Sequence, residues 1–319
     1  MLRAFMDLSR PTKKEHTMRT LSARLPTWLY NYIYNVVRAD NEGDWFKAQQ
    51  NLNNTHEENI TYLGTYFPRT FTEVCRIVAS LNTSTQYFEY VSGKNCIKVL
   101  SVGCGTGGDV SGLIYAMHIL NPNAVFEVNL FDGNEDALNI CLDVLNLLAK
   151  KENIKITYNQ IIMAQLQENR DFCALAERFS NLDIVITSKF LNEVLDYIPN
   201  AYYSFVEGFS KILAEDGIII INEVICRAYC GYFVPSYMNS DLNAAVRDTA
   251  LSSVLPKPCR ANRNCRDNHC YSRFKNGNYN DYTFRIISNE AFADQIIPMV
   301  KPADYLIDYK KSVFCRVIA

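Results

Sequence analysis

The chain has 319 residues, of which 48% are hydrophobic, and a formal net charge of −2 at pH 7. This length and apolar fraction predict one large domain, or one core domain with appended parts. The nearly balanced charge argues against strong overall attraction to nucleic acid, and no apolar run reaches the ~18 residues of a membrane span. Eleven cysteines without a secretory signal segment predict an intracellular, cytoplasmic protein in a reducing compartment.

The N-terminal part of the chain is predicted to be helical. Its first 24 residues carry six Lys or Arg against two acids, which is typical of a mitochondrial targeting segment or, alternatively, of a frayed basic terminus. Trp28–Val37 has apolar residues on most faces of a helix, and a second helical stretch covers Phe71–Leu81. We therefore expect an N-terminal helical segment over residues 1–90.

A strand predicted near 97–102 runs directly into the glycine-rich turn Gly103–Gly108. Glycines let a backbone turn sharply and approach a ligand closely. A second strand, near 125–131, ends in Asp132, whose carboxylate can accept hydrogen bonds from ribose hydroxyls. The pattern predicts a nucleoside-binding half-site; the alternative is an ordinary strand–turn–helix without a ligand. The residues predicted to bind the cofactor here are Gly103, Cys104, Gly105, Thr106, Gly107, Asp132 and Gly133.

Strands and helices alternate through the centre of the chain, which predicts right-handed crossovers and a mostly parallel sheet. The predicted strands lie near 97–102, 125–131, 154–158, 183–187 and 217–223, and two final strands lie at 282–287 and 312–318. The predicted helices lie near 108–120, 134–150, 165–178 and 194–213. The expected fold class is α/β, with a seven-stranded, mostly parallel sheet. A ligand should bind where the glycine turn, Asp132 and Ser188 meet at the carboxyl ends of the strands.

The spacing Gly103-x-Gly105-x-Gly107 resembles the turn of class I S-adenosylmethionine (SAM) dependent methyltransferases, which have a Rossmann-like core. Dinucleotide enzymes instead use Gly-x-Gly-x-x-Gly. The resemblance covers roughly residues 95–225 and makes residues 91–319 the methyltransferase domain. It implies SAM as cofactor, with Ser188 and Asn192 lining the far side of its pocket and the N-terminal helices covering it. The chain departs from the family at Ser101, where an acidic residue usually helps to hold the methionine end.

A cysteine-rich segment follows the fifth predicted strand, and we expect it to form an insertion over about 226–280, between strands five and six. Cys259, Cys265 and Cys270 fall within twelve residues of a stretch with few apolar side chains, which core packing does not explain. A metal would cross-link such a segment, as zinc or as an iron–sulfur cluster, and would need a fourth ligand. The alternative is a set of unrelated thiols. The candidates for the fourth ligand are Cys315, Cys226, Cys230 and His269.

A narrower resemblance concerns Pro258-Cys259, Cys265, Cys270 and the sequence Leu191-Asn192-Glu193. These features are similar to the methyltransferase-like proteins associated with the mitochondrial ribosomal small subunit and to their bacterial relatives. The resemblance implies four cysteines that hold an iron–sulfur cluster, with Cys315 as the fourth, and a role on ribosomal RNA. This chain lacks two features of that family, namely the Pro-His after the first cysteine and the proline after the second.

The same segment carries a cluster of basic side chains with Tyr271 and Phe274 available for stacking, which indicates an RNA-contacting surface or, alternatively, a solvated loop. The basic residues are Lys257, Arg260, Arg263, Arg266, His269, Arg273 and Lys275. We therefore expect a methyltransferase that acts on RNA or a ribosomal particle. Two other functions remain open: a small-molecule or protein methyltransferase with a structural zinc, and a SAM-fold assembly factor without catalysis.

No catalytic base can be read from the sequence. Lys189, Glu193 and Glu223 are candidate polar groups near the strand ends. Asn192 and Glu193 have a second interpretation, in which they cap the following helix and complement its dipole.

Overall fold

The computed structural model describes residues 25–41, 51–227, 231–255, 274–276 and 280–297, and in this part of the chain eight strands form one sheet. The strands are β1 (Cys96–Val102), β2 (Val125–Asp132), β3 (Lys155–Met163), β4 (Leu182–Ser188), β5 (Leu213–Val224), β6 (Leu251–Leu255), β7 (Phe274–Asn276) and β8 (Asn280–Asn289). The helices are α1 (Thr27–Asn31), α2 (His56–Thr65), α3 (Phe67–Leu81), α4 (Thr85–Gly93), α5 (Gly108–Leu120), α6 (Glu135–Glu152), α7 (Arg170–Ala176), α8 (Leu191–Val194), α9 (Ala201–Ser210), α10 (Val234–Asp248) and α11 (Glu290–Ile296). A π-helical turn (Tyr32–Val36) continues α1, and a 3-10 turn (Asn51–Asn53) precedes α2.

The strand order is β3-β2-β1-β4-β5-β8-β6, and the short β7 pairs with β8. Neighbouring strands from β3 to β5 are parallel, whereas β8 runs antiparallel to β5 and β6. The seven strands of the main path confirm the predicted α/β class with a mostly parallel sheet. The chain passes from β1 to β2 and β3 on one side of β1 and then crosses to β4 on its other side. A crevice opens at the carboxyl end of β1, where the direction of the connections reverses.

Two hydrophobic cores lie on the two faces of the sheet. The first, which we call the α5 face, is covered by α3, α5 and α6, and the second, the α9 face, is covered by α7, α9 and α10. Residues 218–221 of β5 are consecutive isoleucines, and none is more than 1% exposed. Such a continuous apolar run is typical of a strand that is buried on both faces.

The N-terminal helices form part of the α5 face. α3 crosses α5 at close range, since Gly108 and Gly112 present no side chain at the crossing. A Cβ atom on Gly112 would lie 2.5 Å from the carbonyl oxygen of Phe71, and one on Gly108 would lie 2.9 Å from that of Phe67. The helical character predicted for this part of the chain therefore serves to cover the sheet.

The C-terminal strands differ from the predicted ones. The segment 282–287, predicted as the sixth strand, belongs to β8, which lies between β5 and β6. The true β6 was missed because Leu251–Leu255 is short and contains two consecutive serines that obscure its apolar pattern. Cys259, Cys265 and Cys270 therefore follow β6 and do not lie between the fifth and sixth strands. The predicted strand at 312–318 lies outside the described residues.

Two predicted helices also differ from the structure. The helix predicted at 194–213 is divided into α8 and α9, because Pro199 cannot continue a helix and Asn200 has a positive φ of 59°. The helix predicted at 165–178 is shorter and forms α7. Across the described ranges, none of the helices combines the length and apolar character that crossing a membrane requires.

Candidate functional site

The glycine turn after β1 has a backbone that requires glycine. Gly103, Gly105 and Gly107 have φ angles of +69°, +50° and +87°, a region that side chains other than glycine rarely adopt. A Cβ atom on Gly103 would lie 2.2 Å from Cγ of Phe190, and one on Gly107 would lie 2.5 Å from Sγ of Cys141. The turn is therefore tightly confined and leads directly into the N-terminus of α5.

Asp132 lies at the end of β2, next to this turn. Its Oδ2 accepts a hydrogen bond from the backbone N–H of Gly105 at 2.7 Å, and its Oδ1 accepts one from the N–H of Asn134 at 2.9 Å. Burial raises the pKa of Asp132, and the two backbone donors oppose that shift. The carboxylate is thus fixed in orientation at the floor of the crevice.

A cleft opens above the turn and encloses about 690 Å³ of empty space, its open mouth included. Six of the predicted site residues line it: Gly103, Gly105, Thr106, Asp132, Gly133 and Ser188. The hydroxyl oxygen of Ser188 is buried and has no hydrogen-bond partner within the described ranges. The structure therefore brings most of the predicted residues together, although their role in binding stays a prediction.

Three predicted site residues do not line the cleft. Cys104 is buried behind the turn, where its hydrogen bond with Cys141, together with burial, raises the pKa of its thiol well above the usual value. Gly107 serves as the N-cap of α5. The backbone N–H of Asn192 donates to Oε1 of Glu223 at 3.2 Å, so Asn192 belongs to the packing between α8 and β5.

The departure at Ser101 has a structural counterpart in α5. The Ser101 hydroxyl is 2.8 Å from Oδ2 of Asp109, and both residues are buried. Burial raises the pKa of Asp109 to about 7. A carboxyl group is therefore present beneath the glycine turn, although it comes from α5 and not from β1. Sequence spacing alone does not reveal this pairing.

The segment around residues 51–59 closes one side of the cleft, and its contacts were not predicted. The side-chain amide of Asn134 donates to the carbonyl oxygens of Asn51, Leu52 and Asn54 at 3.1–3.2 Å. Its Oδ1 accepts from the N–H of Ala137 at 2.9 Å and thereby caps α6. The predicted helix began at residue 134, and neither role of Asn134 was recognised from the sequence.

A buried ion pair lies behind the wall that β4 forms. Nζ of Lys189 is 2.9 Å from Oε2 of Glu73, which also accepts a hydrogen bond from the amide of Asn222 at 2.9 Å. Lys189 has a positive φ of 59°, and its N–H donates to the carbonyl of Asn222. Of the three polar groups predicted near the strand ends, Lys189 therefore forms an ion pair with a residue of α3.

The other two predicted polar groups are carboxyls. Glu193 lines the cleft and accepts a hydrogen bond from the amide of Asn51 at 2.7 Å. Burial, followed by the negative charge of Asp132, raises the pKa of Glu193 well above its ordinary value. Glu223 is fully buried on the α9 face, and burial raises its pKa to about 8. Of the two carboxyl groups, Glu193 is therefore the one that lines the cleft, and burial favours its protonated form there.

The predicted metal ligands Cys259, Cys265, Cys270 and Cys315 lie outside the described residues. Cys226, an alternative fourth ligand, is a free, partly buried thiol whose pKa is raised to about 11 by burial and by Glu223. Within the described ranges, no group of three or more His, Cys, Asp or Glu side chains is arranged to hold a metal ion. Both the metal site and the narrower family resemblance therefore stay predictions.

Among known proteins, solved structures are the ones that show similarity to this chain. No family model and no curated protein matches the chain. Among solved structures, the TehB-like SAM-dependent methyltransferase from Corynebacterium glutamicum is 11% identical over 66% of this chain and 87% of that chain, with a TM-score of 0.36. The plantazolicin methyltransferase BpumL, solved in complex with S-adenosylhomocysteine (SAH), is 14% identical over 82% of this chain and 100% of that chain, with a TM-score of 0.43.

An rRNA methylase from Streptococcus thermophilus is also similar, at 11% identity over 64% of this chain and 94% of that chain, with a TM-score of 0.37. At these identities the likeness concerns the fold alone. The fold of this chain is defined by its own strand order, in which β8 runs antiparallel between β5 and β6 at one side of a parallel sheet.

Proposed function

We propose that this protein binds SAM and transfers its methyl group to an acceptor. The observation that carries the proposal is the position of Asp132, which is fixed by the N–H groups of Gly105 and Asn134 at the carboxyl edge of β1 and β2. A nucleoside that rests on the glycine turn would offer its ribose hydroxyls to this carboxylate. The unpartnered Ser188 hydroxyl gives the opposite wall a further group for the ligand.

The charge of the cleft favours SAM over a dinucleotide. Asp132 and Glu193 line the cleft, and its described lysine, Lys189, is paired with Glu73. Among the described lining residues, a pyrophosphate would meet two carboxyl groups and no cation other than the paired Lys189, which is unfavourable in a partly buried site. SAM carries a positively charged sulfur and an ammonium group, both of which suit this environment.

When bound, SAM supplies a methyl group that is activated toward displacement by the positive charge on sulfur. The protein's own contribution is to hold and orient. The glycine turn lets the backbone approach the ligand, Asp132 accepts from the ribose, and the rings of Phe190 and Tyr62 contribute apolar surface to the walls of the cleft. No described side chain is assigned as the catalytic base.

Isothermal titration calorimetry with SAM, SAH and NAD tests the proposal. We expect SAM and SAH to bind and NAD not to bind. Asp132→Asn should lower the affinities for both SAM and SAH at least about tenfold, because the ribose hydroxyls lose a charged hydrogen-bond acceptor. The control is Asp143→Asn, which removes an exposed carboxylate of α6 outside the cleft. Failure of wild-type protein to bind SAM or SAH would overturn the proposal.

The acceptor we propose is RNA or a ribosomal particle. Support comes from the basic residues of the cysteine-rich segment, which are positioned in the sequence to contact phosphates. Cys259, Cys265, Cys270 and Cys315 would hold an iron–sulfur cluster or a zinc ion and so brace that segment. A non-catalytic assembly factor and a small-molecule or protein methyltransferase remain the competing functions.

Two measurements distinguish these functions. An absorption spectrum with metal analysis on anaerobically purified protein should show either about four irons with absorbance near ~400 nm, or one zinc without colour. RNA binding that weakens steeply with salt would support the RNA acceptor. If the protein contains no metal, its thiols all react freely and RNA does not bind, the metal site and the RNA acceptor are both rejected.

A further inference from the structure

Glu193 lies on the wall of the cleft that faces Asp132 across the glycine turn. β1 is the central strand of this region, with β2 and Asp132 on one side and β4, followed by α8, on the other. A ligand whose ribose reaches Asp132 must extend over β1 toward α8. The part of the ligand that lies beyond the ribose therefore approaches Glu193.

Among the described residues, the charged groups that act on Glu193 are themselves acidic carboxyl groups, and no cation is among them. Its carboxyl group receives one hydrogen bond, from the Asn51 amide, and the charges that act on it come from Asp132 and Glu223. In the cleft lining that the structure describes, the one basic side chain is Lys189, which is held 2.9 Å from Glu73. A buried carboxyl group without a cation beside it tends to keep its proton, and a cationic ligand would favour release of that proton and then pair with the carboxylate.

Two tyrosines lie next to this carboxyl group. Tyr62 and Tyr197 both line the cleft, and the charge of Glu193 contributes to the raised pKa of each phenol, after the effect of burial. The ring of Tyr62 packs against that of Tyr66 in a tilted arrangement, with the ring centroids 4.7 Å apart. Aromatic rings around a carboxylate form an environment that attracts organic cations, because the face of each ring is negative.

We propose that Glu193, flanked by Tyr62 and Tyr197, recognises the positive charge on the sulfur of SAM and makes the cleft prefer SAM to SAH. This inference rests on the proposed function. Methyl transfer converts the positively charged sulfur into a neutral thioether, so the attraction to Glu193 ends with the reaction. The product then binds more weakly than the cofactor, and its release is favoured.

Calorimetric affinities of wild-type protein and Glu193→Gln for SAM, SAH and sinefungin test the inference. Sinefungin carries an ammonium group in place of the methylated sulfur. Its affinity therefore measures the effect of a positive charge at this position in the absence of a sulfonium. We expect Glu193→Gln to lower the affinity for SAM and for sinefungin about tenfold, and the affinity for SAH less than about twofold. The matched control is Asp196→Asn, which removes a carboxylate from the same segment at an exposed position. It should leave the ratio of SAM to SAH affinity unchanged.

The outcomes separate this inference from the proposed function. If Glu193→Gln lowers the affinities for all three ligands equally, Glu193 supports the shape of the cleft but does not recognise the ligand's charge, and the inference is wrong. The same conclusion follows if no affinity changes, or if wild-type protein binds SAM and SAH equally. If wild-type protein binds neither, the proposed function fails and the inference fails with it. A thermal unfolding curve of each variant shows whether it is folded.

Discussion

The two faces of the sheet hold buried charges in different ways. On the α5 face, Lys189 and Glu73 form an ion pair that joins β4 to α3. On the α9 face, Arg285 is 7% exposed and is surrounded by neutral groups, with hydrogen bonds to the side chains of Asn239 and Ser253. Glu223 lies on that same face and yet forms no ion pair with Arg285 among the described contacts.

The two faces stabilise a buried charge in different ways, one by an opposite charge and the other by neutral hydrogen-bonding groups. Opposite charges compensate each other in the ion pair, so removal of one leaves the other unbalanced. Neutral hydroxyl and amide groups accept hydrogen bonds from the two terminal nitrogens of Arg285, whereas its Nε has no partner among the described residues. These neutral groups do not balance its charge, and burial lowers its pKa to about 10. The α5 face should therefore be more sensitive to loss of a charge than the α9 face.

The largest effect is expected from Glu73→Gln. This variant keeps the shape of the side chain but leaves the Lys189 ammonium buried without its counter-charge, which should lower the free energy of unfolding by about 3–5 kcal/mol. Urea denaturation measures the change. Glu89→Gln, at an exposed position of α4, should change stability by less than about 0.5 kcal/mol. A loss below about 1 kcal/mol for Glu73→Gln would show that the pair is solvated.

A smaller effect is expected from Arg285→Met. Methionine removes an uncompensated charge, which is favourable, but leaves the side chains of Asn239 and Ser253 without their donor. The net loss should be about 2 kcal/mol, since each unsatisfied buried group costs about 1–3 kcal/mol. The same denaturation experiment checks the value. A loss as large as that of Glu73→Gln would mean that a carboxylate outside the described residues pairs with Arg285.

The smallest effect concerns pH and Glu223. Its folded pKa of about 8 exceeds the ordinary value, so the folded state retains a proton that the unfolded chain releases. Stability should therefore fall as pH rises from the unfolded pKa through the folded one, by about 1 kcal/mol between pH 6 and 7 for this one group. Glu223→Gln should reduce that slope. An unchanged slope would mean that Glu223 is ionised in the folded protein.

Local patterns in the sequence predicted those features that depend on neighbouring residues. The glycine turn, Asp132 and the five parallel strands are each encoded within a few positions, so they were found with small errors at their ends. β6 was not predicted, because two of its five residues are serines and interrupt the apolar pattern of the strand that pairs with β8. A strand this short carries little periodicity of its own, and its stability depends on pairing with β8 and on packing against α10 and α11.

The missing part of the site arises from long-range contacts. Asn51 reaches Glu193 across 142 positions, and Glu73 reaches Asn222 across 149. Both residues belong to the N-terminal segment, where an asparagine or a glutamate is usually an ordinary surface residue. The pairing of Ser101 with Asp109 is closer in sequence, but the prediction followed the family position and did not consider α5.

The crossing of α3 over α5 limits how this chain can be divided. A fragment that begins at residue 91 would retain the glycine turn and every strand, but it would expose the surface of α5 that the main chain of α3 contacts at Gly108 and Gly112. It would also leave Lys189 without Glu73. We expect such a fragment to aggregate or to bind no ligand, so expression of a stable, shortened form requires that α3 be kept as an integral layer of the fold.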